Sequence, residues 1–204
     1  MTLRDRFQQL SGKTRFVVCR IFLHLAGREV APLLGVLNQA GQRAIASEGD
    51  LDVLGEELVT ICDHLLEYES YWQSAANEGD VFWDEGEAGD YVTELFTDSA
   101  QRYGSGAELL ESDTSDTNDA EMPLILPITQ NLVVMITVAY EGEVPALETD
   151  LTSASALRMG LKSIINLHHN EKLRAIQVHF SPAQLGDELT YDELLQHYPE
   201  LVPL

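Results

Sequence analysis

Lysine and arginine are scarce in this chain: 12 of 204 residues, against 34 aspartates and glutamates, for a formal charge of −22. Seven of the twelve lie in residues 1–43, opposed only by Asp5 and Glu29, so this head carries +5 and the remaining residues −27. Between Arg43 and Arg158 the only basic residue is Arg102. Nucleic-acid affinity comes largely from neutralising phosphates, so a body this acidic excludes non-specific nucleic-acid binding. Cysteine is equally scarce. Cys19 and Cys62 have no Cys-x-x-Cys spacing, which points away from a disulfide framework and towards two buried thiols in a reducing, cytoplasmic setting. Long apolar runs are missing too. The apolar run at residues 16–25 is interrupted by Arg20 and His24 and followed by Arg28 and Glu29. A bilayer span takes about 20 uninterrupted apolar residues, so neither a transmembrane span nor a secretory signal is expected. Catalytic signatures are absent as well: there is no Gly-x-Gly-x-x-Gly and no Walker lysine, and Gly104-Ser105-Gly106 does not match a nucleophile elbow. No cofactor is expected.

What is present is an α+β pattern. Residues 1–12 are polar and expected to be mobile. Residues 13–103 read as mainly helical. Val17, Ile21, Leu25, Leu33 and Leu37 recur at i, i+4 spacing up to about residue 46, with Pro32 kinking the helix or starting a second one near Val30. A second helix is expected over residues 51–76, using Leu54, Leu58, Ile61, Leu65 and Trp72 as its buried face, to form an αα-hairpin. Residues 77–90 read as an acidic loop and 91–103 as a short helix. Residues 111–119 lack apolar side chains and cannot offset their ordering entropy, so residues 104–122 are expected to be a disordered acidic insert.

Residues 123–204 form a β-α-β-α region, and residues 13–204 together are expected to fold as one domain. Residues 132–140 make a β-branched strand closed by Glu141-Gly142, and residues 173–180 make a second, stopped by Ser181-Pro182. Between them, Thr152 or Ser153 caps a helix through about Leu167. The simplest arrangement is a right-handed crossover with parallel strands, extended by an edge strand over residues 124–128. Thr190 and Glu193 make a capping box for a last short helix ended by Pro199.

Few side chains invite chemistry. His168-His169 with His179 raises a metal reading, but adjacent helical histidines point about 100° apart and no carboxylate or thiol has ligand spacing. Capping the helix C-terminus is the simpler role. His64 beside Glu57 and Glu67 lacks the Glu-x-x-His spacing of di-metal bundles and reads as a solvated acidic face. Aromatic residues are the more suggestive group. Tyr71, Trp72, Phe82 and Trp83, with Tyr198 in the tail, either pack the core or anchor a partner.

The tail also carries a resemblance. Gly186-Asp187-Glu188-Leu189-Thr190-Tyr191-Asp192-Glu193-Leu194-Leu195-Gln196-His197-Tyr198-Pro199-Glu200-Leu201-Val202-Pro203-Leu204 resembles the ending of an uncharacterised cyanobacterial and plastid family of unknown function. That family closes on Gly-Asp-x-Leu-Thr-x-Asp-Glu-Leu-Leu-x-x-Tyr-Pro-x-Leu-x-Pro-Leu. Tyr71-Trp72 resembles the family's Tyr-Trp, although Glu69-Ser70 stands where His-Pro is usual. Familiar members carry a Gly/Ser-rich linker and a transmembrane helix ahead of this region; neither is found here. The family includes a chloroplast protein of acclimation to fluctuating light. The resemblance therefore implies an accessory role near a photosynthetic membrane, with no assigned reaction.

The combined expectation is a non-enzymatic accessory or regulatory protein that binds a protein partner, in photosynthetic acclimation or assembly. The alternative is a small-molecule- or metal-dependent enzyme using the histidines and acidic helix faces. The basic head, through Arg4, Arg6, Lys13, Arg15, Arg20 and Arg28, would either make a weak, end-on contact with an anionic membrane or pair with the acidic body.

Overall fold

The computed structural model describes residues 14–107, 130–183 and 187–204. The expected mobile head, residues 108–122 of the expected insert and the edge strand expected over 124–128 lie outside the described residues.

The chain forms a five-stranded antiparallel sheet between two layers of helices. In order come β1 (Phe16–Ala26), α1 (Ala31–Ala46), α2 (Leu51–Glu67), β2 (Trp72–Phe82), α3 (Glu85–Ala107), β3 (Asn131–Glu141), α4 (Ala154–His169), β4 (Leu173–Ser181), α5 (Tyr191–His197) and β5 (Val202–Pro203). Their spatial order is β4-β3-β1-β2-β5. The α+β class is as expected, and so are the α1/α2 hairpin, the helix start beside Pro32, the Ser153 cap and the Thr190/Glu193 capping box.

The first correction is residues 16–26, expected to be helical and found as the central strand. Val17, Ile21 and Leu25 share a face at i, i+4 in a helix, but four is also a multiple of two, so they share a face in a strand. Every residue from Val17 to Leu25 is buried, because the strand is covered on both sides and shows no solvent face to alternate. Val17, Cys19, Ile21, Leu23 and Leu25 join Leu33, Leu37, Leu58, Ile61, Leu161 and Ile164 from α1, α2 and α4. On the opposite face, Val18 meets Ala88 and Leu95 of α3, while Phe22 meets Leu189, Leu194 and Tyr198.

The second correction concerns residues 68–107. The expected helix to residue 76 stops at Glu67, and residues 77–82 of the expected acidic loop belong to β2, paired with β1 from Trp72 to Phe82. Asn77-Glu78-Gly79-Asp80 has poor strand propensity, and pairing with the apolar β1 overrides it. Asp84 then accepts from the backbone N–H groups of Gly86 (2.9 Å) and Glu87 (3.1 Å), starting α3 well before residue 91. That helix runs on to Ala107 and takes in residues 104–107, assigned to the insert by composition.

The third correction is the crossover. β3 and β4 are antiparallel neighbours, with Tyr140 opposite Leu173. A single helical pass would make them parallel, but residues 142–151 add a second pass. Gly142 N–H donates to Arg15 O, and Asn77 in β2 binds both Thr149 O (2.9 Å) and Leu151 N–H (2.8 Å). α4 then returns, so β4 enters where β3 left. No helix among the described residues is long and apolar enough to cross a membrane.

Candidate functional site

The five aromatic residues singled out in the sequence have different environments. Trp72 is buried and its indole N–H donates to Leu65 O at 3.0 Å. Tyr198 is 2 % exposed and packs with Phe22, Met135 and Leu194. Tyr71 is half-buried, 5.7 Å from the Tyr68 ring and against Gly27. Phe82 and Trp83 are both half-buried at the exit of β2, where Phe82 sits 5.3 Å from the Tyr91 ring. Of the five, only these last two form an adjacent, accessible pair.

The histidines are separated. His64 Nδ1 lies 2.8 Å from Thr60 O of its own helix, while Glu57 turns to α1 and accepts from Arg43 at 3.2 Å. His168 and His169 occupy the last turn of α4, where His168 packs against Gly55. His179 stands beside Met135 on the other face of the sheet. Among the described residues, no three His, Cys, Asp or Glu side chains form a group that could hold a metal ion. Both cysteines are buried and free. Burial pushes the Cys19 thiol up to about 12 and the Cys62 thiol further, so neither is a thiolate at neutral pH.

A charged cluster that the sequence reading missed lies beneath α3. Strand register places Glu78, Arg20, Thr137 and Gln177 in one row across β2, β1, β3 and β4. Arg20 is 3 % exposed. Its guanidinium donates to Glu78 (Nε–Oε1 2.8 Å), Asp98 Oδ2 (2.6 Å), Ser99 Oγ (2.9 Å) and Leu95 O (3.1 Å), and lies 4.7 Å above the Phe22 ring. Arg102 extends the chain of charges, binding Asp98 at 2.9 Å, Glu200 at 2.5 Å and His197 O at 2.8 Å. Burial alone would raise the Asp98 pKa, but Arg20 and Arg102 outweigh it and hold the carboxyl below its ordinary value. This cluster fastens α3 and the C-terminal segment to the sheet. The available signal was Arg20 and His24, four residues apart and therefore on one face of a strand.

Two head arginines thus pair with the acidic body. Arg20 is inside it, and Arg15 binds Glu148 (3.0 Å) and Gly142 O. Both lie on or beside β1, where an amphipathic helix was expected, and Arg4, Arg6 and Lys13 lie outside the described residues.

The most open feature is the outer edge of β2. β5 covers only Ser74 and Ala75, and Leu204 N–H donates to Gln73 O at 3.0 Å. From Asn77 to Phe82 no strand pairs with that edge among the described residues. Beside it, residues 147–150 bound a groove of about 460 Å3. Val17, Cys19 and Leu147 belong to its apolar lining, and the acidic residues Asp80, Glu148 and Asp150 also line it, whereas the Glu78 carboxylate is taken by Arg20. At position 79 a Cβ would lie 2.4 Å from Val18 O, so only glycine fits and the strand is bare there. The site is acidic and partly apolar, and Phe82-Trp83 follow its last β2 residue, Val81, along the chain.

A family model described as "Protein of unknown function (DUF1517)" matches residues 15–204. No curated protein and no solved structure matches the chain.

Proposed function

The chain belongs to the DUF1517 family of proteins of unknown function, and from its geometry we propose a non-enzymatic accessory role: binding a protein partner. One observation carries this reading. The half-buried Phe82-Trp83 pair directly follows Val81, the last β2 residue lining an acidic groove beside an open strand edge. Tryptophan flanked by polar rim residues is the composition that dominates interface energetics. The acidic surface adds long-range attraction for a basic partner and repulsion for another copy. By the resemblance of its tail, the role serves photosynthetic acclimation or assembly, at the periphery of a photosynthetic membrane.

The test compares wild type with Trp83→Ala in affinity purification from native cells at low and high salt. Trp83 lies outside the three apolar clusters, so the variant should melt within a few degrees of wild type. The proposal expects a co-purifying protein that is released by salt and lost from the variant. Equal retention by both proteins removes Trp83 from the interface and defeats the reading.

A further inference from the structure

Resting on the protein-binding reading above, we infer that the outer edge of β2 between Asn77 and Phe82 docks a lysine- or arginine-rich extended segment of the partner, which joins the sheet as an added strand. The edge already accepts a strand from its own chain, because β5 pairs antiparallel with Ser74 and Ala75. Leu204 donates to Gln73 O, and strand groups alternate with a period of two. Asn77, Gly79 and Val81 therefore also turn their backbone groups outward. Val81 N–H is capped by Asp80 Oδ1 at 2.7 Å. Asn77 and Gly79 have no backbone partner on that side among the described residues. The free length is about 20 Å of edge, enough for five or six paired residues.

Charge identifies the occupant. Asp80 and Asp150 line the groove, as does Glu148, which pairs with Arg15. Acidic residues on a strand edge normally prevent edge-to-edge aggregation, and at a net charge of −22 they repel a second copy of this chain. The same charges attract a basic strand. The apolar lining at Val17, Cys19 and Leu147 receives its aliphatic side chains, while Phe82 and Trp83 offer ring faces to a guanidinium or ammonium at the far end.

The experiment uses the full chain, isotopically labelled, and a ten-residue peptide alternating lysine and valine. A twin peptide has its valine nitrogens methylated, which removes backbone donors and leaves the charge intact. The expected result is saturable, salt-sensitive binding that slows amide exchange at Asn77 and Gly79 at least tenfold. The methylated twin should bind at least tenfold more weakly, and Asp80→Lys/Asp150→Lys should shift preference to a glutamate-valine peptide. Equal binding of both lysine peptides means charge attraction without strand pairing and overturns the inference. Protection of those two amides in the free chain, whether by its own segments or by a concentration-dependent dimer, also overturns it. If peptide docking fails while the Trp83-dependent partner is still captured, strand addition is wrong and the broader binding role stands.

Discussion

Replacing Arg20 with alanine tests whether the charged cluster holds α3 on the sheet. The guanidinium makes charge-assisted hydrogen bonds to Glu78 and Asp98 and further bonds to Ser99 and Leu95. Bonds to charged groups contribute about 1.5–3 kcal/mol each, and breaking a fully buried pair costs about 3–5 kcal/mol. That upper range does not apply unreduced. Glu78 and Asp98 keep 44 % and 41 % of their side-chain surface exposed, so both rehydrate once freed. Counting the two ionic bonds at about half, and adding the lost packing over Phe22, gives about 2–4 kcal/mol. For a chain of this length each kcal/mol moves Tm by about 2–4 °C, so a fall of roughly 5–15 °C is expected. Urea unfolding of wild type, Arg20→Ala, Asp98→Ala and the double variant measures both the loss and the coupling, expected at about 1–2 kcal/mol. Arg20→Met, which retains the stem and fills the space, should recover at least half of the loss. A loss below about 0.5 kcal/mol, or additive single substitutions, refutes the idea that this network fastens the layer.

Three further outcomes follow from the packing. Gly55→Ala places a Cβ 2.1 Å from His168 Nδ1 and should destabilise by about 1–2 kcal/mol despite better helix propensity; adding His168→Ala should reverse the sign in thermal melts. Deleting residues 187–204 removes the buried Leu189, Leu194 and Tyr198, about 1.5–3 kcal/mol each, comparable in sum to a domain's whole stability. Near-ultraviolet circular dichroism should show lost tertiary packing, whereas a cooperative, native-like melt contradicts the structural role of the tail. Buried His24, held between Ser74 and Asn131 at 3.2 Å, has its pKa lowered from 6.5 by burial, against the opposing Asn131 hydrogen bond. The fold therefore favours neutral His24, and its contribution is complete above pH 6.5 and lost as pH falls towards the lower folded value. Below pH 6.5 the wild type should lose at most about 1.4 kcal/mol per pH unit through this group, a slope that His24→Gln should lack.

The elements legible in the sequence are those specified locally. The Thr190/Glu193 capping box, Ser153 before α4, Pro32 at the start of α1 and the β-branched run of β3 each act within a few residues. β1 was illegible for a different reason. Burial on both faces erases alternation, and its i, i+4 spacing satisfies either period. β2 hid behind Asn77-Glu78-Gly79-Asp80, which become a strand only because β1 offers them backbone partners. Strand direction in β3-α4-β4 turned on residues 142–151, whose second pass depends on Asn77, a residue distant in sequence. The site was readable in part. Phe82 and Trp83 stood out as aromatic residues in an acidic stretch, but the groove residues Val17, Leu147 and Asp150 meet only in the folded chain. Arg20 was counted with a basic head, since nothing in its local sequence shows Glu78 and Asp98 closing around it.

The position of β1 in the chain sets a schedule for biosynthesis. Its partners β2 and β3 both lie downstream, so the ribosome delivers an eleven-residue, almost wholly apolar strand long before either neighbour exists. Helices α1 and α2 emerge next and are able to shield one face of it, but one hydrogen-bonding edge waits for Phe82 and the other for Glu141 to leave the exit tunnel. Pairings this distant close slowly, and a strand with two open edges is a template for association with other nascent chains. The same two-sided burial that makes β1 the centre of the finished sheet leaves it, during synthesis, an apolar strand whose partners have yet to arrive.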